Sequence, residues 1–220
     1  MSADQDTTSD LGIGFFGNMT ASISHEIKNA LAIVNENAGL LGDLALLMDK
    51  GRPLSAERLT TIAGNIRRQV QRADDIIRRL NRFAHSAHEP ATRIDLREVL
   101  AFTVALAERL ATMKGITLVL AAGEPVSLVI RPFVLENLLW LCLQRLFVAA
   151  GSGGTVELAT EAKDGCALVR LRCGSGTQVG PVAAEAARLG QSLLAELQTE
   201  IDTDADQGEL LLRLPAPACS

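Results

Sequence analysis

The run Ser24-His25-Glu26-Ile27-Lys28-Asn29-Ala30-Leu31, SHEIKNAL, sits inside an apolar rhythm that decides the first half of the fold. Around it Phe16, Met19, Ile23, Ile27, Leu31, Val34, Ala38 and Leu41 recur at steps of three and four. That spacing marks one stripe of an α-helix packed against other helices, and it runs on through Leu44 and Met48. His25 falls off the stripe, so the helix presents it to solvent. Asn29 lies four residues on and shares its face. The polar residues 1–10 are expected to be a disordered tail.

Lys50-Gly51-Arg52-Pro53-Leu54-Ser55 interrupts the rhythm, with glycine as a helix stop and Ser55 as the next N-cap. A second stripe follows at Leu59, Ile62, Ile66, Val70, Ala73, Ile77, Leu80 and Ala84. Two such helices joined by a short turn form an antiparallel hairpin. One hairpin cannot bury both stripes and the flanking leucines, whereas two can. A homodimeric four-helix bundle through residues 11–87 is therefore expected. Pro90 enforces the end of the second helix, and the domain boundary is expected at 90–94.

Beyond Ile94 the pattern changes. Helices are expected over 96–113, 133–150 and 182–198, and strands over 115–120, 126–130, 155–160, 167–173, 200–203 and 209–214. Turns are expected around Lys163-Asp164-Gly165 and Asp206-Gln207-Gly208. The fold class is α+β: a helical hairpin over 11–90, then an α/β sandwich over 91–220 with one sheet covered by three helices.

Composition narrows the function. Of 220 residues, 48% are hydrophobic but only 3% aromatic, and there is no tyrosine, so the core must be aliphatic. The net charge of -5 argues against a nucleic-acid partner. The acidic start does not resemble a signal peptide, and no apolar run is read as approaching the ~20 residues of a membrane span. A cytoplasmic protein is expected. Cys142, Cys166, Cys173 and Cys219 show no metal-ligand spacing and are read as thiols of a reducing compartment. His85 and His88 are three apart but lack a third ligand, so no metal site is expected.

A neutral imidazole on an exposed helix is a nucleophile toward phosphorus. Glu26 can hold one ring nitrogen protonated, and the Asn29 amide can orient a water. On the second helix Arg67, Arg68, Arg72, Arg78, Arg79 and Arg82 stand against only Asp74 and Asp75 within 59–82, a basic face suited to an acidic partner.

SHEIKNAL resembles the H-box of sensor histidine kinases, with Ala30 at the usual proline position. The resemblance spans roughly residues 11–215. It implies that His25 accepts the phosphoryl group, that Glu26 assists transfer, and that Glu26 with Asn29 matches a pattern linked to dephosphorylating a response regulator. The receiver domain of such a regulator is the implied partner, docking on Lys28, Arg67, Arg68 and Arg72.

The second half is similar to that family's ATP-binding domain, with departures. Phe133 to Leu141 resembles the segment that ends in a magnesium-binding asparagine, and Leu141 occupies that position. Leucine offers no oxygen, which Mg²⁺ requires. Leu171-Arg172-Cys173-Gly174-Ser175-Gly176 resembles the DxGxG motif, with Arg172 replacing the aspartate that reads adenine. Arginine has donors only. Gly190 is the single glycine left of a glycine-rich box. No cofactor is expected, and the regulator would bring its own Mg²⁺. The leading reading is a histidine phosphotransferase that relays phosphate between regulator aspartates. The alternatives are a pseudokinase acting as phosphatase or non-catalytic regulator, a kinase with an atypical ATP site, and a structural dimerisation module.

Overall fold

The structure, a computed structural model, describes residues 2–123, 125–163, 165–174 and 177–215, with side chains from residue 11 onward. Asp164, Ser175, Gly176 and Cys219, all named in the sequence reading, lie outside the described residues.

Helix α1 spans Ser2–Asp49 and α2 spans Ala56–Ser86. The expected tail at 2–10 is helical instead. Extending an existing helix avoids the nucleation cost that keeps short polar peptides unfolded. The stop is a Schellman motif. Gly51, at φ 77°, donates to Met48 O at 2.8 Å, and Arg52 donates to Leu47 O at 3.1 Å. Ser55 Oγ then accepts from the Arg58 backbone N–H at 3.4 Å, in the N-cap position expected of it.

Thr20–Ala84 forms one compact unit; the described residues up to Met19 and from His85 onward form the other. The division therefore falls at Ala84/His85, ahead of the 90–94 expected. Ser86 explains the shift: it is buried, and its hydroxyl donates to Glu136 Oε2 at 2.9 Å, so the last turn of α2 belongs with the α/β unit. Phe15 belongs there too, its ring 5.6 Å from Phe133 and 6.3 Å from Trp140.

Within the hairpin the buried set is Ser22, Ile23, Ala30, Asn37 and Leu44 on α1, and Ile62, Ile76 and Phe83 on α2. Part of each expected stripe stays exposed in the single hairpin, as expected of stripes that two hairpins are needed to bury. Leu31 is 54% exposed, Val70 55% and Ile77 42%, while Ile76 and Phe83, one residue along, are fully buried. One residue is a rotation of 100°, so the apolar surface on each helix is wider than one partner helix covers. Two polar contacts set the register. Asn65 Nδ2 donates to Asn37 Oδ1 at 3.2 Å, and Arg79 meets Glu26 at 3.4 Å. As α1 advances from 26 to 37, its α2 partner retreats from 79 to 65, so the helices are antiparallel.

The α/β unit contains β1 (Thr92–Asp95), α3 (Leu96–Met113), β2 (Thr117–Leu120), β3 (Ser127–Ile130), α4 (Pro132–Ala150), β4 (Thr155–Lys163), β5 (Cys166–Cys173), α5 (Val179–Leu189), α6 (Gln191–Leu197), β6 (Ile201–Asp204) and β7 (Glu209–Pro215). A five-stranded sheet runs β2-β4-β5-β7-β6, with β2 and β4 parallel and the other pairs antiparallel. β1 and β3 form a separate antiparallel pair. Two expectations change here. A second small sheet exists, because β1 is only four residues and carried no periodic signal. The expected third helix is two helices, broken at Gly190, where a Cβ would come within 3.0 Å of Ala186 O and of Leu141 Cδ2.

α4 is the core of this unit, with Leu135, Leu138, Leu139, Cys142, Leu143 and Leu146 fully buried. Burial pushes the Cys142 thiol up to about 12. By length and composition two helices could cross a membrane, Leu11–Asp49 and Pro132–Ala150. That corrects the expectation that no apolar run nears that length. The apolar stretch of α4 is 67% buried, as a core helix should be, whereas that of α1 is 11% buried.

Phe83→Ala, which empties the fully buried α2 position, should destabilise the protein by about 3–5 kcal/mol in urea unfolding. Ile77→Ala, one residue away but exposed in the single hairpin, should cost well under half as much at concentrations where the chain is monomeric.

Candidate functional site

α1 carries His25 and Asn29 outward. Both are exposed, as are Ser24 and Lys28, while Ile23 and Ala30 on the same helix are buried. The geometry follows from helical pitch: with Ile23 and Ala30 turned into the seam, His25 and Asn29 share the opposite side. Among the described residues the His25 imidazole has no hydrogen-bond or ion-pair partner within the chain.

Glu26 departs from its expected place. Its side chain is only 13% exposed and turns toward α2, where the carboxylate pairs with Arg79 rather than with His25. Adjacent residues on a helix point about 100° apart, so Glu26 cannot share the face of His25 while it packs against α2. Arg79 is the residue the sequence reading placed off the stripe without a specific role. The burial of Ile76 and Phe83 provides the missing signal, because Arg79 lies three residues after Ile76 and so beside the seam.

The arginine face divides into paired and unpaired members. Arg78 bonds Asp74 at 2.7 Å across one turn, and Arg68 donates to the side chain of Asn65. Arg67 and Arg72 are exposed and form no ion pair among the described residues. Asn65 in turn reaches Asn37, so Arg68 terminates a polar chain that crosses the hairpin. Asn37 also donates to Ile33 O at 2.8 Å.

In the α/β unit, Leu141 is 5% exposed and lies under Gly190. Arg172 is exposed on β5 and rims a cavity of about 470 Å³ with Gln178, Asp206 and Gly208. Cys173 is buried, and burial raises its thiol while a hydrogen bond with Thr177 opposes the shift. His85 and His88 are both exposed. No cluster of three or more His, Cys, Asp or Glu among the described residues is arranged to hold a metal ion.

The hairpin thus carries an outward histidine with an amide on the same face, and an α/β unit follows it in the chain. Residues 17–89, the hairpin and the turn after it, match the His Kinase A (phospho-acceptor) domain. Three solved structures are similar across both units. The histidine kinase ThkA, crystallised with the response regulator protein TrrA, is 14% identical with a TM-score of 0.49, over 93% of this chain and 63% of that one. A histidine kinase from Burkholderia phymatum is 14% identical with a TM-score of 0.46, over 92% of this chain and 98% of its own. A bacterial phosphotransferase is 16% identical with a TM-score of 0.41, over 90% and 94%. The match to the phospho-acceptor domain concerns the hairpin alone. No curated protein matches the chain.

The Glu26–Arg79 pair is partly exposed and its contact is long, so its worth to stability is about 1 kcal/mol or less. Glu26→Gln should therefore leave the unfolding midpoint almost unchanged. Thermal unfolding followed by circular dichroism would verify it.

Proposed function

We propose that this protein is a histidine phosphotransferase that carries a phosphoryl group on His25 between response regulator aspartates. The observation that carries this reading is the pairing of an exposed His25 with a buried Leu141. His25 is open to an incoming protein. Leu141 stands where the resembled family places its magnesium ligand, and it is packed under Gly190.

The donor set does not fit a magnesium nucleotide. Leu141 has no oxygen to offer a hard cation, and its side chain packs against Gly190. Arg172 has no acceptor for an adenine amine. These features support a phosphoryl source outside the chain. In the proposed step an unprotonated imidazole nitrogen of His25 attacks the phosphorus of an aspartyl phosphate in line. The N–P bond forms as the bond to the aspartate oxygen breaks, and the carboxylate leaves. The receiver domain supplies the Mg²⁺ that shields the phosphoryl oxygens. The reverse step passes the group to a second aspartate. Lys28, Arg67, Arg68 and Arg72 form the docking face for the acidic surface of the receiver.

A second reading is favoured by Asn29, which is exposed on the face of His25. There it would orient a water toward a receiver aspartyl phosphate, making the protein a phosphatase. The two separate in one assay with a ³²P-labelled receiver domain. The relay predicts label on this chain that vanishes in His25→Gln and survives Asn29→Ala. The phosphatase predicts label lost to solvent without a labelled intermediate, abolished by Asn29→Ala. Calorimetry with an ATP analogue and Mg²⁺ should show no binding heat. Micromolar binding would overturn the ATP-independent part of the proposal.

We also propose a homodimer through the hairpin. Leu31, Leu40, Val70 and Ile77 leave an apolar surface that a second copy would cover. Ile77→Glu should shift the protein toward monomer in analytical ultracentrifugation while its far-ultraviolet spectrum stays helical. An unchanged dimer would rule out this face.

A further inference from the structure

The largest of the three described cavities, about 1000 Å³, lies in the α/β unit between the start of α1, the first turns of α4 and α6. Phe16, Phe133 and Val134 give it an apolar wall. Two polar side chains line it from within. Asn137 is 3% exposed and lies in the cavity wall. A methyl group built on Gly12 would lie 3.9 Å from Asn137 Nδ2 and 3.4 Å from the Phe133 ring, so the amide faces bare backbone and open space. Ser192 Oγ, also in the lining, is buried without a hydrogen-bond partner.

Buried polar groups in native proteins are almost always satisfied, and each exception needs a cause. Leaving one unpaired costs about 1–3 kcal/mol. An orphaned hydroxyl and a nearly buried amide in one cavity of ligand size, with aromatic walls, are the pattern of a small-molecule site. We infer that this cavity binds a small neutral molecule with a flat apolar body and an amide-like edge, whose polar edge pairs with Asn137 and Ser192.

Charge selects against an ionic ligand. Arg131, at the rim, is neutralised by Glu196 at 2.6 Å. His88, the other titratable side chain of the lining, is exposed, and the inner polar groups, Asn137 and Ser192, are both uncharged. Asn137 offers one donor group and one acceptor side by side, which matches a carboxamide or a lactam edge. The phenyl rings match a planar body. The site stands or falls independently of the phosphoryl relay, since none of its residues takes part in that step.

The test is a titration of the full chain, isotope-labelled, with benzamide as probe and benzoate and ATP as charged comparators. Benzamide should shift the Asn137 side-chain amide and the Phe16 and Phe133 ring signals, saturating in the millimolar range usual for a fragment. Asn137→Leu should weaken it roughly tenfold, and Ser192→Ala, a milder change on an outer helix, several-fold. Absence of saturable shifts at these residues would overturn the inference. So would equal or tighter binding of benzoate or ATP, or unchanged affinity in both variants.

Discussion

The packing of Ile23, Ala30 and Leu44 together with Ile62, Ile76 and Phe83 is the constraint on which the rest of the hairpin depends. Once those side chains are buried, the rotation of α1 is set, and every other residue on it has an assigned direction. His25 and Asn29 must face outward. Glu26 must face α2, where Arg79 meets it. The Asn37–Asn65 contact adds a polar lock at a second height. A slide of one helix by a turn would leave the buried Asn37 without its partner from α2, a cost comparable to a lost hydrogen bond. Apolar packing sets the rotation, and the polar contacts set the height.

α4 plays the corresponding part in the α/β unit. It is apolar around its circumference, the mark of a helix enclosed on all sides. β-Strands and helices wrap it, and Gly190 permits the close approach of the chain at the junction of α5 and α6. Close contact at Gly190 and leucine at 141 belong together: a side chain at 190 would push the junction outward, and a polar group at 141 would be buried without water. Asn137, in the cavity lining, lies one turn earlier on the same helix. Along four residues the surface of α4 changes from a polar group facing a cavity to an apolar group facing protein.

The helices and most strands were legible because their periods are distinct and their stops are chemical. Gly51, Ser55 and Pro90 punctuate the hairpin, and Pro132 opens α4. The errors have physical sources. A stripe of threes and fours locates a helix but not which part of a broad apolar arc meets the partner helix of the same hairpin, so the burial of Ile76 and Phe83 was not legible. Glu26 was assigned to His25 from adjacency, although its contact depends on the fold of α2, fifty-three residues away. β1 was too short to show alternation. The cavity around Asn137 depends on three elements meeting, and no single stretch of sequence carries it.

The exposure of His25 has a mechanistic consequence under the proposed relay. A catalytic histidine that works within one chain is held by a neighbouring acceptor, which sets its tautomer. Here no side chain of the described residues holds the imidazole, and the nearest acid is engaged with Arg79. The ring nitrogens are therefore left to solvent until another protein arrives. That suits a group which must accept phosphate from one partner and release it to another, because a fixed tautomer would favour one docking geometry over the next. It also assigns the labour. The rigid helix supplies position, the docked receiver supplies metal and in-line alignment, and the barrier falls only when the two are together.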